Sequence, residues 1–225
     1  MSENRFQKFA GAASIVVGLS SLLYGLVFLF VFPAEQKGAP PASLIAFAAN
    51  PTPLVLLSFL LALGGLAATV AVVGIAQRMS EGQAGITFWA AALGFAYGLL
   101  TAMQAVYQLF LATTMSALYA RPDPALQAAA VVVTYAPSPV NTFGFSKFFL
   151  SGLWLFVTGA SMVRSGYFPR PLGYLALIAG LGVILLFIGQ ATGTLALILA
   201  VGVPGSAVVG PLFWLWVGYT LWRKT

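Results

Sequence analysis

Six long stretches of the chain are almost continuously apolar, covering residues 11–32, 54–76, 87–111, 142–163, 172–189 and 205–222. A helix needs about 20 such residues to cross a hydrocarbon core roughly 30 Å thick, so each stretch predicts a spanning helix. None shows the alternation of apolar and polar positions that marks a lipid-facing strand, which favours helices over a barrel. Breakers fall between the runs: Pro33; Pro40, Pro41, Pro51 and Pro53; the polar segment 77–85; Pro122, Pro124, Pro137 and Pro139; Pro169 and Pro171; and Pro204. The predicted class is all-α, a polytopic bundle of six transmembrane helices arranged as three hairpins, forming one domain over 1–225.

Three shorter apolar stretches, 43–49, 125–135 and 194–203, each end at proline or a proline-containing turn on the side opposite the termini. At ~1.5 Å per residue none is long enough to span. They are expected to lie as short helices in the outer interface or over the mouth of the bundle. Asp123 followed by Pro124 is a suitable N-cap and first helical residue for the second.

Composition strengthens this picture. Of 225 residues only 6% are charged and 60% are hydrophobic, whereas a soluble domain is about a quarter charged. Arg5, Lys8, Arg78, Arg164, Arg170, Arg223 and Lys224 fall on one side of the predicted membrane, leaving Lys37, Arg121 and Lys147 for the other. Retention of basic loops in the cytoplasm therefore places both termini inside, in the cell (cytoplasmic) membrane. The net charge of +6 is accounted for by this topology and by membrane lipids, without a nucleic-acid partner. The first apolar run is longer than a cleaved signal segment and is read as a retained signal anchor.

An internal rhyme accompanies the hairpins. The returning helices end in Val73-Gly74-Ile75-Ala76-Gln77-Arg78, Gly159-Ala160-Ser161-Met162-Val163-Arg164 and Gly218-Tyr219-Thr220-Leu221-Trp222-Arg223. Two readings stand side by side. Either 1–78, 79–164 and 165–225 are three repeats about an axis along the membrane normal, or arginines at cytoplasmic helix ends and prolines in turns simply recur in any such protein.

The stretch Ser165-Gly166-Tyr167-Phe168-Pro169-Arg170-Pro171-Leu172-Gly173 and the aromatic segment Gly210-Pro211-Leu212-Phe213-Trp214-Leu215-Trp216-Val217-Gly218 resemble a group of bacterial multi-pass proteins, the DUF four-three-eight-six type. The resemblance extends to length, to the number of helices and to the aromatic last helix. It implies an architecture and no activity, so no functional residues are carried over from it.

Polar groups within spans are costly and therefore candidate sites. Tyr97, Thr101, Gln104 and Gln108 share one face of the third helix at spacings of four, three and four, with Tyr107 beside them. Asn141, Ser146, Lys147 and Ser151 enter with the fourth helix, and Gln190 lies at the outer end of the fifth. Together Tyr97, Thr101, Gln104, Tyr107, Gln108, Asn141, Lys147 and Gln190 are expected either to form an outward-facing ligand pocket or pore, or to act as interhelical glue with Lys147 snorkelling to headgroups. Trp89, Trp214, Trp216 and Trp222 are expected at the interfaces and Trp154 in the packing. Gly94 with Gly98, the series Ser14, Gly18, Ser21 and Gly25, and Gly189 with Gly193 are expected to mark close helix contacts.

The absences narrow the chemistry. There is no histidine or cysteine, and the four carboxylates are Glu3, Glu35, Glu81 and Asp123, all in tails or loops. Proton coupling through buried acids, thiolate or histidine zinc sites and histidine-ligated haem or chlorophyll are disfavoured or excluded. No phosphate-binding glycine loop or nucleophile elbow is present, and a serine with Lys147 is the one surviving catalytic pairing. The expected function is a non-enzymatic bundle with no obligate cofactor or metal. It would serve as an accessory or scaffold subunit for other membrane-protein subunits, or hold an apolar ligand such as lipid, quinone or pigment. The alternative is a small-solute channel or facilitator with an outward-facing polar pocket.

Overall fold

Apolar runs without backbone partners outside the segment can satisfy their own N–H and C=O groups only as helices, and helices are what they form. The computed structural model describes the backbone of residues 3–31, 40–80, 84–135, 139–202 and 204–223, and within these the side chains of all but 3, 40, 135, 139–145 and 202. In order come α1 (Glu3–Leu26), continued by a π-helical turn (Val27–Val31), α2 (Pro40–Ala49), α3 (Thr52–Met79), α4 (Ala84–Tyr119), α5 (Pro124–Tyr135), α6 (Pro139–Ser165) and α7 (Arg170–Thr192). The last span is assembled from α8 (Leu195–Leu197), two π-helical turns (Ile198–Gly202 and Gly205–Val209) and α9 (Gly210–Arg223). No strand occurs among the described residues. Six helices are long and apolar enough to cross a membrane, which marks a multi-pass membrane protein.

Three boundaries differ from the sequence reading. The first helix begins at Glu3 and not at residue 11, because nothing in the polar stretch between breaks a helix. The third span runs on to Tyr119, because nothing in 112–119 breaks a helix before Pro122. The predicted short helix over 194–203 is instead the opening of the sixth span, its turns widened to π geometry on both sides of Val203. The other two short helices are separate, as expected. Asp123 caps α5, its Oδ1 accepting from Ala125 N at 2.8 Å, and Gln127 Nε2 ties the preceding turn by donating to the carbonyls of Tyr119 and Arg121 at 3.2 and 3.1 Å.

The spans pack in cyclic order: α1 on α3, α3 on α4, α4 on α6, α6 on α7, α7 on the sixth span, and α9 back on α1. Lipid tails offer no hydrophobic drive for helix association, so close backbone approach has to supply the attraction. Glycine permits it. A Cβ at Gly98 would stand 2.7 Å from the Gly65 carbonyl oxygen, and one at Gly65 equally close to that of Gly98. Between α6 and α7, Gly159 meets Gly173 and Gly152 meets Gly180, each added Cβ lying within 3.1 Å of the facing carbonyl. Between α1 and α9, Gly11 faces Gly218 and Gly18 faces Pro211 and Leu215. In the last two pairs the residue numbers rise on one helix as they fall on the other, so the partners are antiparallel.

Not every small residue in the anticipated faces does this. Gly25 has no atom within 4 Å of an added Cβ, and Gly193 is the left-handed cap of α7, with φ 67°, also facing open space. Small size permits approach but does not summon a neighbour. Ser14 and Ser21 return their hydroxyls to their own helix, donating to the carbonyls of Ala10 and Val17 at 2.9 and 2.8 Å.

At the basic end, Gln7 Nε2 donates to the Gly74 carbonyl at 3.1 Å and Thr87 Oγ1 to that of Met79 at 3.3 Å. The Arg78 guanidinium lies 5.4 Å over the ring of the buried Phe168. These contacts tie α1 to α3, the end of α3 to the start of α4, and Arg78 to the turn before α7.

The glycine contacts generate a paired prediction. Gly98→Leu forces backbone apart and should lower stability by about 1–3 kcal/mol or more, seen as an earlier melting transition in detergent. Gly25→Ala should change it by no more than about 0.5–1 kcal/mol, toward greater stability through helix propensity.

Candidate functional site

The inward face of α6 carries Lys147, Ser151, Trp154, Thr158 and Ser161 at spacings of four, three, four and three, and all five are buried. Trp154 sits at the middle of this stripe. Its ring stacks on Trp214 at 5.0 Å and 18°, and meets Phe213 edge-on at 6.1 Å. Phe213 and Trp214 touch at 5.5 Å. Gly94 of α4 makes room for the indole, since a Cβ there would lie 2.7 Å from its Cδ1 and Nε1. Three large rings from α6 and α9, fitted against a glycine of α4, thus fill the centre of the bundle.

Below the rings, toward the basic end, a cavity of about 10 Å³ is lined by Thr87, Ala90 and Ala91 from α4 and Trp154, Thr158 and Ser161 from α6, with α3 closing the side. That is room for one water at most. Toward the other end, a cavity of about 50 Å³ lies among Tyr24, Phe28, Leu54, Leu57, Ser58, Leu61 and Gln108. Ligand pockets for organic molecules run to roughly 300–1,000 Å³, so neither space accommodates such a ligand.

The eight residues singled out from sequence are distributed as follows. Thr101 is buried and donates to the Tyr97 carbonyl at 2.8 Å. Tyr97 is half-buried and packs against the main core. Gln104 is half-buried, with its Oε1 enclosed and lacking a hydrogen-bond donor. Gln108 and Tyr107 are exposed, Gln108 on the rim of the larger cavity. Gln190 is exposed near the end of α7, and the side chain of Asn141 lies outside the described residues.

Lys147 departs from the snorkelling expectation: only 8% of it is exposed. The reason is its face. Seven residues is nearly two helical turns, so Lys147 stands on the same side of α6 as Trp154 and points inward with it. Thr87 and Ser161 line one cavity while Gly94 opposes Trp154, so α4 and α6 run antiparallel. Seven residues outward from that crossing, ~10 Å at ~1.5 Å per residue, Thr101 on α4 and Lys147 on α6 reach the same depth. Gln104 is one turn farther out.

The arrangement limits the chemistry. The Ser151 hydroxyl donates to the Phe148 carbonyl at 3.1 Å, which holds its proton away from Lys147. Nζ of Lys147 lies 5.0 Å from the Phe148 ring centroid. What this layer presents is binding capacity, an ammonium with donors to give and an amide oxygen in need of one.

Sequence reading did not find the aromatic centre. Trp214 was expected at an interface, and it is buried at 4% exposure against Trp154. Because the sixth span opens at Leu195, Trp214 lies inside it and not at its edge. The signal that could have found the site is the five-residue stripe on α6, which places Trp154 midway between Lys147 and Ser161.

No curated protein and no solved structure matches the chain. A family model described as "Domain of unknown function (DUF4386)" matches residues 9–222. Nearly the whole of the bundle lies within that match, including the glycine contacts, the aromatic centre and Lys147, and the chain belongs to the DUF4386 family.

Proposed function

We propose that this protein is a non-enzymatic membrane bundle that works by holding something, as an accessory or scaffold subunit that retains lipid or another membrane partner on its perimeter. The observation that carries this reading is the filled interior. Glycine crossings draw the helices together, and Trp154, Trp214 and Phe213 occupy the centre. Among the described residues the cavities of about 10 and 50 Å³ are too small for an organic molecule, so a bulky ligand belongs on the lateral surface.

A small-solute facilitator is the second reading, favoured by the layer of Lys147, Thr101 and Gln104 outward of the rings. The aromatic centre weighs against it, because a solute reaching that layer would still have three packed rings to pass.

The proposed topology has three hairpins with both termini in the cytoplasm of a cell bounded by this membrane. Its support is that Arg78, Arg164 and Arg223 sit in the last turns of α3, α6 and α9. The same helices support triplication. Each returning helix makes a close glycine contact with the outgoing helix of the next hairpin: Gly65 with Gly98, Gly159 with Gly173, and Gly218 with Gly11. The joints differ in depth, for Gly159 and Gly218 lie five residues before Arg164 and Arg223, while Gly74, four residues before Arg78, meets Ala10 of its own hairpin and Gly65 makes the contact farther up α3.

Two measurements test these proposals. The chain has no cysteine, so single cysteines at exposed positions report topology directly: Ser80→Cys should resist a membrane-impermeant thiol reagent in intact cells and Arg121→Cys should react, whereas the reverse labelling overturns the orientation. Native mass spectrometry from mild detergent should show the wild-type chain with retained lipid or a protein partner, and liposomes carrying it should show no solute flux above protein-free vesicles. A ligand-free monomer with measurable flux would replace the holding role with the facilitator.

A further inference from the structure

A membrane lysine ordinarily reaches for the headgroups, and Lys147 does not. An ammonium taken into the interior loses several kcal/mol of hydration that must be made good by a partner. The Phe148 ring at 5.0 Å offers a cation–π contact that recovers only part of it. Among the described residues the available carboxylate is Asp123, which is already engaged in capping α5. The hydroxyls of Thr101 and Ser151 give their protons to the backbone.

An independent observation comes from the facing helix. Gln104 Oε1 is enclosed and has no donor, and it lies within about one turn of the depth of Lys147. Among the described residues the layer therefore offers no anion to Lys147 and no hydrogen-bond donor to Gln104 Oε1. Just inward of it, toward the membrane centre, the outer surfaces of the same two helices present Phe95 and Leu99 on α4 and Phe149 and Phe156 on α6, all exposed.

We propose that Lys147 and Gln104 bind the headgroup of an anionic amphiphile, with phosphate oxygens accepting from the Lys147 ammonium and a headgroup hydroxyl donating to Gln104 Oε1. The acyl chains run inward along Phe95, Leu99, Phe149 and Phe156. This rests on the holding role proposed above and names what is held. A phosphodiester bearing a free alcohol, such as phosphatidylglycerol, meets both needs. Phosphatidylcholine has the phosphate, but its cationic end repels the ammonium and carries no hydroxyl. Inorganic phosphate shares the polar chemistry and lacks the chains.

The test uses the full-length protein in neutral detergent, titrated with phosphatidylglycerol, phosphatidylcholine or inorganic phosphate, and reads both the melting temperature and the lipid retained in native mass spectra. Wild type should prefer phosphatidylglycerol over phosphatidylcholine by about ten- to a hundred-fold, the worth of one charge-assisted hydrogen bond. Lys147→Met should erase the preference, Lys147→Arg should keep most of it, and Gln104→Leu should weaken phosphatidylglycerol binding while leaving some preference for anionic lipid. Lys147→Met removes a buried charge and should melt no lower than wild type without lipid. If that variant fails to fold, the wild-type lipid series still decides the matter. Equal retention of the two lipids, or an unchanged preference in a folded Lys147→Met, overturns the headgroup site but leaves the holding role standing. Stabilisation by inorganic phosphate equal to that by phosphatidylglycerol also overturns the amphiphile and assigns the layer to a free anion. Absence of any retained lipid or partner in wild type overturns both proposals.

Discussion

Backbone-to-backbone approach at glycine is the interaction on which the rest of this bundle depends. In lipid an apolar side chain gains nothing by leaving one apolar neighbour for another, so the helices need shape and proximity to stay together. The contacts at Gly65 with Gly98, Gly152 with Gly180, Gly159 with Gly173 and Gly11 with Gly218 supply both. They tie consecutive spans, and then first to last. The polar ties at the basic end, from Gln7 to Gly74 and Thr87 to Met79, lie beside them and are few.

This packing governs what the centre can contain. Helices drawn so close leave room for a wide core residue only where a neighbour has no side chain, and Trp154 against Gly94 is that case. Trp214 and Phe213 then complete a cluster satisfied by offset stacking and edge contacts. The polar stripe on α6 is divided by these rings into an inner part at Thr158 and Ser161 and an outer part at Ser151 and Lys147. The inner part faces a water-sized space. The outer part contains a charge, which is why packing alone does not explain Lys147.

Much of the architecture was legible because membrane spans are written in long apolar runs, and Asp123 with Pro124 announced the start of α5 by ordinary capping chemistry. The family resemblance, drawn from the turn at 165–173 and the aromatic last helix, agrees with the match over residues 9–222. Less legible was which face of a helix finds a partner. Gly25 and Gly193 share the spacing of the contacting glycines yet face open space, since a small residue allows contact only if another helix arrives. Trp214 was misplaced because the sixth span begins before its proline, with π-helical turns accommodating Pro204 where regular α geometry would break. For Lys147 the sequence leaves a pocket role and snorkelling side by side, because it gives the residue's depth readily but not its direction. Its direction follows only after Trp154 is known to point inward.

The central claim is that the six spans close into a ring through the joint between the first helix and the last, shutting the interior. A cysteine-free chain permits a direct test by disulfide formation between Gly11→Cys and Leu221→Cys, whose Cβ positions lie 3.3 Å apart, close to the separation a disulfide requires. The account predicts rapid intramolecular cross-linking in native membranes under mild oxidant, with none when Gly11→Cys is paired with a cysteine at Ala160 on α6, across the bundle. Cross-linking of α1 to α6 but not to α9 would contradict the ring.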